Sequence, residues 1–352
     1  MENTDIKLTI SSSPHIRTDE GTRSIMLDVI IALIPALAVA MYMFGFRALL
    51  VTGVSAAGCV FFEWAYRRLL RKDGTVGDLS AVVTGMLLAY CLPVSAPLWV
   101  VLVGDFFAIV IVKQLFGGIG KNFVNPALAA RAFLFSYPVI MSTWVLPLRY
   151  DSFFSVNMTD AITGATPLAS LSSSVLPEHT TLLQAFFGQV GGSMGEISAF
   201  ALLLGGIYLV VRRVISPRIP LCYLLTVAAV TFIFPRGNDN LTWMAWNLFS
   251  GGVMLGAIFM ATDYATSPLA PNGQIIYGIG CGLLTVFIRY FGAYPEGVSY
   301  AILLMNVCVW LIDKIAPPAR FGYTREMKRA DRAKIKEARA AAKLAKEADA
   351  NE

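Results

Sequence analysis

The chain has 352 residues, 56% hydrophobic and 14% charged, with a formal net charge of +5 and a mean hydropathy of +0.64. A soluble domain is nearer half apolar and a quarter charged, so the excess apolar surface must face lipid, which excludes a water-soluble enzyme and a disordered chain. Ten of the 28 Lys and Arg residues lie between Arg320 and Lys346, leaving no basic folded face for nucleic acid.

Residues 1–23 are polar and precede the first apolar run, with no small-residue cleavage pattern after it, so they read as a cytoplasmic N-terminal segment rather than a removable signal peptide. Apolar windows of about 20 residues, the length that crosses hydrocarbon as a helix, follow at 24–45, 48–66, 78–93, 97–115, 125–141, 196–212, 219–235, 244–262, 274–292 and 297–316. The expected fold is an all-α polytopic membrane protein of about ten transmembrane helices. Its units are a first five-helix half over 24–141, an outer loop over 142–195, a second five-helix half over 196–316 and a basic cytoplasmic tail over 317–352.

Short loops keep Lys and Arg on the cytoplasmic side. Arg67, Arg68, Arg71, Lys72, Lys113, Lys121, Arg212, Arg213, Arg218 and Lys314 all fall there when the N-terminus is inside. Both termini are then cytoplasmic and the loop 142–195 is outside. An odd number of spans per half makes the halves inverted in topology, and the glycine pairs Gly117–Gly118 and Gly251–Gly252 recur between them.

Some groups are set aside. Cys59, Cys91, Cys222, Cys281 and Cys308 stand far apart in apolar stretches, without the spacing of a zinc or iron–sulfur site, and read as small core residues; no metal site is expected. His15 and His179 do not sit on facing helices, which excludes a bis-histidine haem. Trp99, Trp144, Trp243 and Trp246 fit an interfacial aromatic belt.

Among the acids, Asp105 lies inside the apolar run Val100–Val112, where a charged carboxylate costs roughly 2.5–3.5 kcal/mol on insertion scales. It is the candidate for ion coupling, with a hydrogen bond to a neighbouring helix as the alternative. Asp28 and Glu63 sit nearer the interface and read as structural; Arg289 reads as an anchor or local partner, Asp263 and Thr266 as caps. In the segment after the fourth window, Gly117, Gly118 and Gly120 allow close backbone approach, while Asn122 and Asn125 offer donors and acceptors. Such a segment suits the polar edge of an isoalloxazine or a helix interrupted around an ion, or equally a glycine-rich turn with asparagine caps.

The outer loop carries Asp160-Ala161-Ile162-Thr163-Gly164-Ala165-Thr166, where small neighbours leave the last hydroxyl sterically open and Pro167 disfavours helix at Thr166. By composition alone this is an exposed turn. The motif resembles the acceptor sequence of flavin transferases, which join FMN through its phosphate to the final threonine. The stretches Ser12–Arg17, Lys113–Ala127, Thr262–Pro268 and Phe291–Gly297 likewise resemble the RnfD/NqrB family of membrane redox subunits, over essentially residues 10 to 323. The compact length and short N-terminal segment favour its Rnf branch.

That resemblance implies covalent FMN on Thr166, with Asp160, Thr163, Gly164 and Ala165 completing the recognition sequence, and a noncovalent riboflavin within the helices at a site it does not give; Gly117, Gly118, Asn122 and Asn125 are the candidate cofactor contacts on the chemistry of their own segment. It implies a place in the bacterial cytoplasmic (inner) membrane, in an Rnf-type complex that couples ferredoxin:NAD⁺ electron transfer to Na⁺ or H⁺ translocation. The implied partners are a membrane iron–sulfur pair, an FMN-bearing extracytoplasmic subunit, NADH-binding and ferredoxin-binding subunits, and the flavin transferase. No catalytic residue is expected in the isolated chain. Two other readings stay open at this point: a stand-alone secondary transporter, and a cofactor-free membrane anchor for soluble subunits.

Overall fold

A computed structural model describes residues 21–141, 143–146, 164, 166–177, 180–237, 239–292, 296–317 and 327. Asp160, Thr163 and Ala165 of the loop motif, the first twenty residues and most of the basic tail lie outside these residues. Among the described residues every regular element is helical, with no strand.

Helix α1 (Thr22–Phe44) runs into α2 (Phe46–Leu69) through one residue, Gly45, whose φ of 70° makes the tight connection sterically cheap. Then follow α3 (Ser80–Tyr90), α4 (Leu98–Phe106, continuing as a π-helix over Phe107–Gln114), α5 (Pro126–Leu134) and α6 (Pro138–Met141). The loop segment holds α7 (Pro167–Ser172) and α8 (Leu182–Phe187). The remainder comprises α9 (Ala199–Val211), α10 (Arg218–Ile233), α11 (Asn240–Phe249), α12 (Val253–Leu255, continuing as a π-helix over Gly256–Met260), α13 (Pro271–Phe291) and α14 (Val298–Ile315).

Four helices, α1, α2, α13 and α14, are long and apolar enough to cross a membrane alone; α11 and α12, bent by 64° at their break, make a fifth as a pair. This is fewer than the about ten windows read from hydropathy, because a window counts apolar side chains and is blind to the backbone. Window 78–93 stops being helical after Tyr90, ahead of Pro93; window 125–141 is interrupted between Leu134 and Pro138; window 244–262 is broken at Ser250-Gly251-Gly252. Non-helical backbone at membrane depth is tolerated where protein encloses it and supplies hydrogen bonds. Here the segment before α9 does so for the end of α3: Met194 N–H donates to Leu92 O at 3.2 Å and Gly195 N–H to Tyr90 O at 3.0 Å. A Cβ at Gly195 would stand 2.3 Å from the Tyr90 side chain, so the approach requires glycine.

Helix α2 packs on α3 and α4, α10 packs on α11 and α13, and α1 lies against α9. One continuous core of buried side chains, including Leu33, Phe44, Leu88, Tyr90, Leu128, Tyr223 and Tyr277, fills the space between them. The two π-helical segments are each followed by a loop and a helix that starts with proline, Pro126 of α5 and Pro271 of α13. These two loops meet at one end of α5, and the loop carrying Thr166 lies at the other.

Candidate functional site

Thr166 stands at the N-cap of α7 with extended backbone (φ −71°, ψ 153°) ahead of Pro167, as the X-Pro restriction requires. Its hydroxyl caps nothing. Other helix starts in the chain behave differently: Thr181 at the start of α8 completes a capping box with Gln184, and Ser198 and Asp239 cap α9 and α11 with their side chains. Thr166 therefore keeps its oxygen free, partly exposed, where two hollows adjoin. The larger, about 200 Å³, is walled by Phe135, Met141, Trp144 and Tyr300, with Thr166 and Glu296 at its polar side. Gly164 donates its N–H to Trp144 O at 3.1 Å and lies so close to Leu146 that a Cβ would meet that side chain at 2.9 Å. The motif's glycine thus seats the loop on the segment that walls the hollow.

Behind this hollow lies a buried ionic network. Arg131 of α5, 1% exposed, donates from Nη1 to Glu196 Oε1 at 2.8 Å and to Ser299 Oγ at 3.2 Å, and from Nη2 to Ser193 Oγ at 3.4 Å and to Glu296 Oε2. A planar guanidinium fork suits this bridging of separate carboxylates. Burial outweighs the pull of Arg131 and, with repulsion from the nearby Glu196, pushes Glu296 above the usual carboxylate range, to about 7. Gly252 leaves room for the network, since a Cβ there would stand 2.5 Å from Glu196 Oε1. Arg289, expected to be an anchor or a local partner, is the second: Nη1 and Nη2 donate to Asn247 O and Ser250 O, carbonyls freed where α11 ends.

The opposite end of α5 borders a cavity of about 100 Å³ lined by Ser80, Lys113, Asn122, Asn125, Thr262 and Asp263 among others. Lys113 Nζ donates to Glu63 Oε2 at 2.8 Å and Ser80 Oγ at 2.6 Å. Asn125 caps α5 through Oδ1, accepting from Ala127 and Leu128 N–H, and donates to Met260 O. Asn122 Oδ1 is buried without a partner. Gly117 and Gly118, with φ of 113° and 94°, close the turn after the first π-helix, their N–H groups donating to Gln114 O and Lys113 O; they lie outside the cavity lining. Asp263 accepts from Ala265 N–H and the Thr266 hydroxyl within the turn between the second π-helix and α13, so the pair organises a turn and does not cap a helix as expected.

Asp105 is fully buried, Oδ1 accepting from the Ser55 hydroxyl at 2.6 Å and the Cys59 thiol at 3.3 Å, while Oδ2 has no partner. Gly58 makes space for it: a Cβ there would lie 2.6 Å from Oδ2. Asp28 accepts from Tyr208 and pairs with Arg212, and Glu63 pairs with Lys113, both structural as expected. The belt reading is corrected for two tryptophans. Trp243 and Trp246 are 1% and 3% exposed and pack with Leu168 and Leu171 beneath the loop, whereas Trp99, 58% exposed, faces outward. All five cysteines are free thiols.

The sequence reading missed Arg131, Glu196 and the role of Glu296. Their signal was present: Arg131 is a cation in the middle of an apolar window, as anomalous there as Asp105.

Helices of membrane-spanning length and apolarity, enclosing broken helices and a buried Arg–Glu network, define a polytopic membrane protein. The chain belongs to the NQR2, RnfD, RnfE family, whose model matches residues 9–322. It is 51% identical, over 93% of its length and 99% of the relative's, to the D subunit of the Na⁺-translocating ferredoxin:NAD⁺ oxidoreductase complex of Acetobacterium woodii. It is 42% identical, over 90% and 97%, to the proton-translocating counterpart of Clostridium ljungdahlii. With the D subunit of the ion-translocating oxidoreductase complex of Stutzerimonas stutzeri the identity is 40%, over 85% and 91%.

Proposed function

We propose that the chain is the D-type membrane subunit of an ion-translocating ferredoxin:NAD⁺ oxidoreductase complex and carries FMN esterified to Thr166. The carrying observation is the Thr166 hydroxyl, held by extended backbone, uncommitted to its helix and opening onto an aromatic-walled hollow. The residues suit the group, with a hydroxyl oxygen uncommitted to its helix and apolar walls for a planar ring; at about 200 Å³ the hollow would still have to widen to take the whole ring. When bound, the flavin supplies the electron-transfer chemistry, and the chain supplies position and dielectric. The hollow is open to the surface, so a ring tethered at its rim stays partly accessible to a redox partner.

The cavity at the other end of α5 is the proposed seat of riboflavin. Asn122 Oδ1, Ser80 and Thr262 suit its polar edge. At about 100 Å³ it is smaller than the roughly 300 Å³ at which ligand pockets begin, so occupancy requires the two loops to part. Ten crossings in two halves remain our reading of the topology, supported by the matched packing of α2 with α3 and α4 and of α10 with α11 and α13. With the termini inside, the Thr166 end is the outer face of the inner membrane. The complex would supply the iron–sulfur, NADH-binding, ferredoxin-binding and second FMN-bearing subunits. The relatives' names divide between Na⁺ and protons, so the transported ion follows from neither.

Denaturing electrophoresis under ultraviolet light tests the attachment. The band from a host with flavin transferase is expected to fluoresce, to go dark in Thr166→Ala and to stay bright in Thr163→Ala. A dark wild-type band removes the flavin from this chain and leaves a permease or an anchor.

A further inference from the structure

The polar side of the aromatic hollow is not neutral ground. Of the groups that line it, Glu296 is the one carboxyl group, and it lies beside Thr166 along both adjoining hollows. Its position is fixed from several directions. Arg131 holds its carboxylate from α5, Arg289 Nε donates to its backbone carbonyl at 3.4 Å, and that same carbonyl accepts from Val298 N–H at 2.6 Å as α14 begins. The next residue, Gly297, has φ of 61°, and a Cβ there would stand 3.1 Å from Thr285 O, so the turn that presents Glu296 depends on glycine. The second carboxylate on Arg131, Glu196, lines the smaller hollow but not the aromatic one. Arg131 holds the carboxylate, while the other contacts fix the backbone from which it extends.

We propose that the hollow between α5, α7 and the start of α14 seats the ring of the flavin borne by Thr166, and that Glu296, positioned by Arg131, faces its polar edge and opposes electron uptake by it. The inference rests on the attachment proposed above. A carboxylate fixed against a ring that gains negative charge on reduction disfavours the reduced state, and a low local dielectric strengthens the effect. Arg131 moderates it by sharing its charge between Glu296 and Glu196. The three groups together set the potential at which this chain accepts an electron, and do so without touching the attachment point.

The test uses the full chain made with flavin transferase and purified in detergent. Glu296→Gln is expected to keep the fluorescent gel band and to shift the flavin's redox equilibrium at least tenfold towards reduction, 59 mV for a one-electron couple. Glu63→Gln, which neutralises a buried carboxylate at the other end of α5, is expected to shift nothing. Trp144→Leu, at the rim, is expected to raise the emission of the native protein severalfold by removing an indole that quenches the ring, and it reads the seat independently should Glu296→Gln fail to fold. Bright bands with unmoved potential and emission overturn this proposal and leave the attachment standing. A dark wild-type band removes both.

Discussion

The two ends of α5 are each organised around a buried cation held by glutamate and serine, yet they join different parts of the chain. Lys113 bonds Glu63 and Ser80, both within the first half, and Glu63 also accepts from Thr75 and lies 4.0 Å from Arg67. Arg131 draws its hydrogen-bonding side chains from Ser193 at the end of the loop and from Glu196, Glu296 and Ser299 beyond it. An ammonium is a point charge that completes a local cluster; a guanidinium fork can span separate elements. The lysine cluster is stitched within one half, the first end reaching the other half through Asn125 and Met260 O, whereas the arginine itself ties the halves together beside the candidate flavin.

Replacing Arg131 by methionine should break that tie and strand two carboxylates, costing about 3–5 kcal/mol and yielding little folded protein. Lys113→Met should cost less, about 1.5–3 kcal/mol, because Glu63 keeps Thr75 and Arg67. Thermal unfolding in detergent compares the two, and equal losses would erase the distinction. Asp105→Asn is next: the new amide replaces an oxygen without a partner, at a cost of about 1–3 kcal/mol, and should leave the flavin band intact while lowering ion transport in sealed vesicles. Unchanged transport makes Asp105 a packing group. Gly251→Ala, at φ 68° and against Leu168 and Arg289, should cost more than about 1 kcal/mol, and Gly120→Ala, at φ 79° in open space, only the backbone strain. Smallest is the threonine pair. Thr181→Ala should lose about 1 kcal/mol with its capping box, whereas Thr166→Ala should be neutral to within about 0.5 kcal/mol in the same melts while abolishing the gel fluorescence.

The helical class and the free cysteines were legible because composition and spacing record them directly. So was the cap at Asn125, since asparagine before proline acts within a few positions of itself. The short helices escaped, because Tyr90, Leu134 and Phe249 end their helices inside runs that stay apolar. Trp243 and Trp246 were misplaced for a related reason: an aromatic at a span's edge looks the same whether lipid or a folded loop covers it. The Arg131 network was hidden by sequence distance, its members standing 62 to 168 residues from the arginine. Each of them alone is ordinary, and only the cation's setting in an apolar run pointed to a missing counter-charge.

That separation along the chain has a consequence for biogenesis. As the polypeptide leaves the ribosome, Arg131 is made well before Glu196, and the last of its partners arrive only with Glu296 and Ser299, when α14 is still to be completed. Until Glu196 arrives the guanidinium, set in an apolar run, has no carboxylate partner from its own network, and it must be shielded by the insertion machinery or by lipid headgroups. Nascent chains cut short before α14 should therefore be marked for proteolysis even though most of their hydrophobic segments have already been made.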